Sequence, residues 1–85
     1  MTYRYTPRGV CSRDISIEVA EDGTIRHVEF VGGCHGNLQG ISRLVEGMPV
    51  EEARRRLAGI RCGEKETSCP DQLSRALARW QQAQK

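Results

Sequence analysis

Apolar and polar positions alternate early in the chain. Ile15, Ile17 and Val19 alternate with Ser16, Glu18 and Ala20, the period-two pattern of a strand with one buried face. Glu21-Asp22-Gly23-Thr24 follows, and Asp-Gly is a strong hairpin signal because both residues accept the backbone such a turn needs. Ile25 to Val31 is the partner strand, with Val28 and Phe30 on its inner face. Upstream, Thr2 to Thr6 is a short β-prone run with Tyr3 and Tyr5 on one side, closed by the turn residues Thr6-Pro7-Arg8-Gly9. Together these segments predict an antiparallel meander of about three strands.

From Leu38 the period changes. Leu38, Ile41, Leu44, Val45 and Met48 recur at three-to-four spacing, which predicts an amphipathic helix with those residues on its buried face. Gly40 weakens that helix and Gly47 ends it. Pro49 starts a second helix, in which Val50, Ala53 and Leu57 face inward and Glu51, Glu52 and Arg54 to Arg56 face mostly out. Gly59 stops it. A last helix runs from about Cys69 to Gln82, with Leu73, Ala76, Leu77 and Trp80 on one face. The predicted fold class is α+β: one antiparallel sheet with helices packed on one of its faces, in a single domain over 1–85.

Composition narrows the picture. A chain of 85 residues with one Trp, one Phe and two Tyr has a thin, mostly aliphatic core, and small domains of that kind often carry a metal or disulfide staple. The net charge is only +2, and the Arg54-Arg55-Arg56 cluster follows Glu51-Glu52, so it reads as a solvated helix face; nucleic acid is not an expected partner. No run approaches the length of a membrane span. No apolar stretch of a signal peptide follows Met1-Thr2-Tyr3-Arg4, so a cytoplasmic location is expected.

Four cysteines in a reducing compartment point to metal or redox chemistry rather than to structural disulfides. They are Cys11, Cys34, Cys62 and Cys69, separated by 22, 27 and 6 intervening residues. No C-x2-C pair exists, so spacing alone is no zinc-finger signature. Their context says more: each has Gly, Ser or Pro within two positions, and none falls on an apolar helical stripe. Ser68-Cys69-Pro70-Asp71 reads as a helix start, with Pro tolerated in the first turn and Ser68 and Asp71 resembling a capping box. Cys69 then sits where the helix dipole favours a thiolate. Three readings stay open on these grounds: a shared metal site of all four thiols, a redox pair most plausibly made by Cys62 and Cys69, and four small buried hydrophobes. His35, beside Cys34, is a weaker candidate ligand; Asp14 and Asp71 are carboxylates that could act near a metal. Arg13, Arg61 and Lys65 could offset the charge of a thiolate centre. No acid–base pair, phosphate loop or nucleophile–His arrangement points to an enzyme in its own right.

Thr67-Ser68-Cys69-Pro70-Asp71, together with Gly9-Val10-Cys11-Ser12, Gly33-Cys34-His35-Gly36-Asn37 and Gly59-Ile60-Arg61-Cys62-Gly63, resembles the TSCPD domain family over nearly the whole chain. That family includes short bacterial proteins and domains at the end of adenosylcobalamin-dependent ribonucleotide reductases. The resemblance implies a metal-binding domain whose ligands are Cys11, Cys34, Cys62 and Cys69. Members often carry the label ribonucleotide reductase, but this chain is far too short to hold that enzyme's catalytic barrel. The order of parts is also similar to the iron–sulfur scaffold family, the NifU N-terminal domain and IscU, with Cys11, Cys34 and Cys69 at the three scaffold cysteine positions. Here the chain departs from the pattern. Arg13 stands where the scaffolds have Asp, Ser68 where they typically have His, and Cys62 adds a fourth thiol. Closed four-cysteine sites are structural, so these departures favour one stable Zn²⁺ over a transient cluster. The expectation is therefore a zinc-binding accessory or interaction module, whose partner is ribonucleotide reductase or another protein. A redox dithiol or an iron–sulfur cluster carrier is the alternative.

Overall fold

A computed structural model describes residues 2–10, 12–33 and 35–83 of the chain. Three strands, β1 (Thr2–Tyr5), β2 (Ser12–Val19) and β3 (Ile25–Gly32), are followed by three helices, α1 (His35–Val45), α2 (Val50–Leu57) and α3 (Cys69–Ala83). The sheet is antiparallel in the order β1-β2-β3. The α+β class, the meander and the separation of strands from helices agree with the sequence reading.

The hairpin between β2 and β3 closes as its chemistry dictates. Gly23 adopts φ 86°, and the Asp22 carboxylate accepts from the Thr24 N–H at 3.0 Å and the Thr24 hydroxyl at 2.7 Å, an Asx turn. Past it, the α1–α2 connection lies along the start of β3. Ile25 N–H donates to Met48 C=O at 2.9 Å, Gly47 N–H to Ile25 C=O at 2.7 Å, and Val50 N–H to Gly23 C=O at 3.0 Å. Gly47, at φ 83°, makes the turn that brings this connection back.

One cluster forms the core: Ile15, Ile17 and Val19 from β2, Ile25 and Val28 from β3, Val45 from α1, Val50 and Ala53 from α2, and Leu73 and Leu77 from α3. Tyr3, Tyr5, Phe30, Ile41, Met48, Leu57 and Trp80 pack around it. Leu44 is a correction. Predicted on the buried face, it is 76% exposed. Six residues after Leu38, it stands about 120° round the helix from it at 3.6 residues per turn. Ser42 takes the inner place, buried and bonded through its hydroxyl to Leu38 C=O at 2.9 Å.

Strand β2 begins earlier than the alternation predicts, and a bulge is the reason. Ser12 pairs with Gly32 and Asp14 with Val31, which leaves Arg13 as an extra residue. An inserted residue reverses the side-chain alternation on the far side of the bulge. Strict alternation back from Ile15 would put Arg13 inside and Ser12 outside; instead Ser12 is buried and Arg13 is exposed. The bulge therefore turns Ser12 toward the N-terminus of α3.

The Arg54–Arg56 cluster is a paired surface. Arg54 bridges to Glu51, and Arg55 and Arg56 both bridge to Glu52, all at i,i+3 or i,i+4 spacing on the outer side of α2.

Candidate functional site

The start of α3 is built from side-chain hydrogen bonds. Ser68 caps the helix: its Oγ accepts the Asp71 N–H at 3.1 Å and donates to Ile60 C=O at 2.6 Å. The capping box is only half made. The Asp71 carboxylate does not turn back to the cap residue. It accepts the Gly59 N–H at 2.7 Å and the Thr67 hydroxyl at 2.5 Å, with Arg75 at 3.3 Å. Both ends of the 59–68 loop are thereby tied to one buried carboxylate. Burial opposes ionisation of Asp71, but the bonds from Thr67 and Gly59 and the charge of Arg75 outweigh it and hold this carboxyl below the usual range.

Gln72 extends the network. It is 1% exposed, and its carbonyl oxygen accepts the Arg8 N–H at 3.1 Å and the Tyr5 hydroxyl at 3.3 Å. Its amide nitrogen donates to Thr67 Oγ1 at 2.9 Å. Thr67 passes that polarity on to Asp71. A directed chain therefore runs from the 6–10 loop through Gln72 and Thr67 to the carboxylate. Gly9 closes the same contact. It adopts φ 73°, and a Cβ there would stand 3.3 Å from Thr67 Cγ2, so a side chain at position 9 would be both strained and crowded.

Cys62 and Cys69 lie in the segments that this network ties together. Cys62 opens a turn whose Lys65 N–H donates to Cys62 C=O at 3.0 Å, while the Cys62 N–H donates to Thr67 C=O at 3.3 Å. Gly63 in that turn adopts φ 59°. Cys62 is exposed, Cys69 is partly buried, and both are free thiols. They line one cleft of 460 Å³ with Val10, Leu38, Ile41, Ile60 and Pro70 as its apolar walls and Arg61, Lys65 and Asn37 beside them. Ser12 Oγ lies 3.3 Å from Cys69 Sγ, a contact either atom can donate.

The expectations for Cys11 and Cys34, and for the side chain of His35, lie outside the described residues. Their described neighbours reach the cleft: Val10 and Asn37 line it, and Ser12 touches Cys69. Among the described residues no group of three or more His, Cys, Asp and Glu forms a metal cluster. Arg61 and Lys65 line the cleft beside Cys62 and Cys69, whereas Arg13 is the exposed extra residue of the bulge and is not among the lining residues described. Asp14 instead pairs with Arg4, next to it on the outer face of the sheet. A larger groove of 640 Å³ between β3 and α1 carries His27, Arg43 and Glu46, and no cysteine among the described residues. His27 Nδ1 there lies 3.6 Å from Glu46.

The model of the TSCPD domain matches residues 1–81. The chain belongs to the TSCPD domain family. In this TSCPD domain the run Thr67–Asp71 supplies the helix cap, a cysteine and the carboxylate that holds the preceding loop. No curated protein and no solved structure is significantly similar to the chain. No helix of the described residues is long and apolar enough to cross a membrane.

Thr67, Gln72 and Ser12 are the site residues the sequence reading missed. Gln72 left a signal: four residues before Ala76, it is a polar side chain on the apolar stripe of α3, and a polar group there needs partners. Ser12 left none, because the bulge that turns it inward has no marker at Arg13.

Proposed function

We propose that this TSCPD domain is a metal-binding module in which Cys11, Cys34, Cys62 and Cys69 hold one Zn²⁺. The observation that carries the reading is the shared cleft: the two described cysteines line it together, and residues flanking or near the other two line it or touch Cys69. The donor set fits the group, since Zn²⁺ takes thiolates in a four-coordinate shell. Four thiolates would make a doubly negative centre. Arg61, Lys65 and the N-terminus of α3 supply opposing charge. Bound zinc supplies folding energy by joining chain segments that a thin core holds weakly. The residues around it hold the loops, exclude water on the apolar side and leave the exposed face of Cys62 as the outer rim.

The role follows from that chemistry and from family membership. A closed structural site does no reaction of its own, so the module acts through a partner, in the manner of a domain appended to ribonucleotide reductase, in the cytoplasm where thiols stay reduced. Single Cys→Ser variants at positions 11, 34, 62 and 69 test the ligand set. Each is expected to lose zinc and to unfold at lower temperature. A variant with full metal content and an unchanged midpoint would remove that cysteine from the set.

One observation favours a second reading. Cys62 is exposed and free in the same cleft as Cys69, an arrangement that also suits a redox dithiol or an iron–sulfur carrier. Two rapidly titrating native thiols, or a brown protein containing iron and sulfide, would favour this reading over zinc.

A further inference from the structure

We propose that Gln72 is a positioning residue of the cysteine centre, a side chain that holds the loop entering Cys11 against the loop carrying Cys62. The proposal rests on the zinc reading above for its consequence, and on the hydrogen-bond geometry alone for its mechanism. A buried amide has two ends of opposite polarity, and here each end serves a different chain segment. The carbonyl oxygen takes the Arg8 N–H and the Tyr5 hydroxyl, at 3.1 and 3.3 Å. The amide nitrogen gives to Thr67 at 2.9 Å, and Thr67 gives to Asp71, which also holds Gly59. Arg8 is three residues before Cys11; Thr67 lies between Cys62 and Cys69.

The chain of donors has one consistent direction, ending on an ionised acceptor. Such chains polarise one another and fix geometry more tightly than isolated bonds. Gln72 is rooted in the first turn of α3, between Asp71 and the fully buried Leu73, so both loops are referred to a rigid element. Residues that orient metal ligands without touching the metal typically change affinity by about 10–100-fold when replaced. An ordinary buried polar residue of the same helix provides the contrast. Ser74 is buried and donates to Arg54 C=O at 2.8 Å, a bond to α2 rather than to either cysteine loop.

The test compares Gln72→Met, Thr67→Val and Ser74→Ala with the unsubstituted chain. Each is assayed for zinc affinity by chelator competition and for amide exchange at Arg8 and Cys62 in the metal-free protein. Gln72→Met is expected to weaken zinc binding by about 10–100-fold and to speed exchange at Arg8. Thr67→Val, which breaks the chain on the loop side, is expected to weaken zinc binding while leaving Arg8 protected. This variant keeps the question open to measurement should Gln72→Met fold poorly. Ser74→Ala is expected to lower thermal stability with zinc affinity unchanged. Equal zinc affinity and equal Arg8 protection in Gln72→Met would overturn the proposal, as would an affinity loss in Ser74→Ala as large as that in Gln72→Met. If the unsubstituted protein takes no zinc, the metal reading fails; Arg8 exchange in Gln72→Met still decides whether Gln72 holds the loop.

Discussion

The two ends of the sheet are held by different means. At the hairpin end, backbone meets backbone: Ile25 with Met48 and Gly47, and Gly23 with Val50. Such bonds depend little on which side chains are present. At the cysteine end, side chains make the ties: Ser68 to Ile60, Asp71 to Gly59 and Thr67, and Gln72 to Arg8 and Tyr5. A loop held by side chains can take an irregular path and present thiols where a regular ladder would not put them. Its shape then depends on the identity of a few residues. Substitutions at the two ends should therefore differ in kind.

The largest effect belongs to neither end. Leu73 is fully buried in the core and follows the Asp71–Gln72 pair. Leu73→Ala is expected to cost about 2–5 kcal/mol, read from urea unfolding, and to weaken both ends together. A loss confined to the cysteine end would mean that the core is not shared.

Next comes Asp71→Asn, which removes the charge that receives the loop. Bonds to charged groups contribute about 1.5–3 kcal/mol, and a loss of that size is expected at neutral pH in the presence of chelator. The pH profile sharpens the point. The Asp71 carboxyl is held below its usual range when folded, so its stabilisation is fully present above about pH 4, near the unfolded value. That stabilisation fades as pH falls through the lower folded value. Asp71→Asn should flatten this acid limb; an acid limb unchanged from the parent would show that the carboxylate does not hold the loop.

Ser68→Ala removes a helix cap, a change of about 1 kcal/mol, along with the donor to Ile60. Faster exchange of the Asp71 amide is the accompanying signal. The smallest effect is expected where side chains lie on the surface. Arg56→Ala breaks an exposed pair with Glu52, and neither the unfolding midpoint nor zinc content should move measurably. A clear loss there would show that the arginine face does more than solvate α2.

Much of the fold was legible because burial leaves a period. The alternation of Ile15, Ile17 and Val19 and the stripe of Leu73, Ala76, Leu77 and Trp80 mark elements the structure contains. Leu44 misled because apolar character is not position: a leucine about 120° round the helix from Leu38 is still a leucine. The cysteine end was legible only in part. Cys62 and Cys69 were singled out, and they share a cleft. The bulge at Arg13 and the reach of Gln72 to Arg8 were not readable, since both depend on contacts between segments distant in sequence. Asp71 shows the same limit in small. Its spacing from Ser68 suggested a local box, but its carboxylate serves Gly59, twelve residues back.

The central claim is that the cysteine end is organised to hold one metal ion. Elemental analysis and a visible spectrum of tag-free protein, purified without oxygen, test it most directly. The account predicts one zinc per chain and no iron–sulfur absorption. Iron with sulfide, or a metal-free protein with four readily titrated thiols, would contradict it.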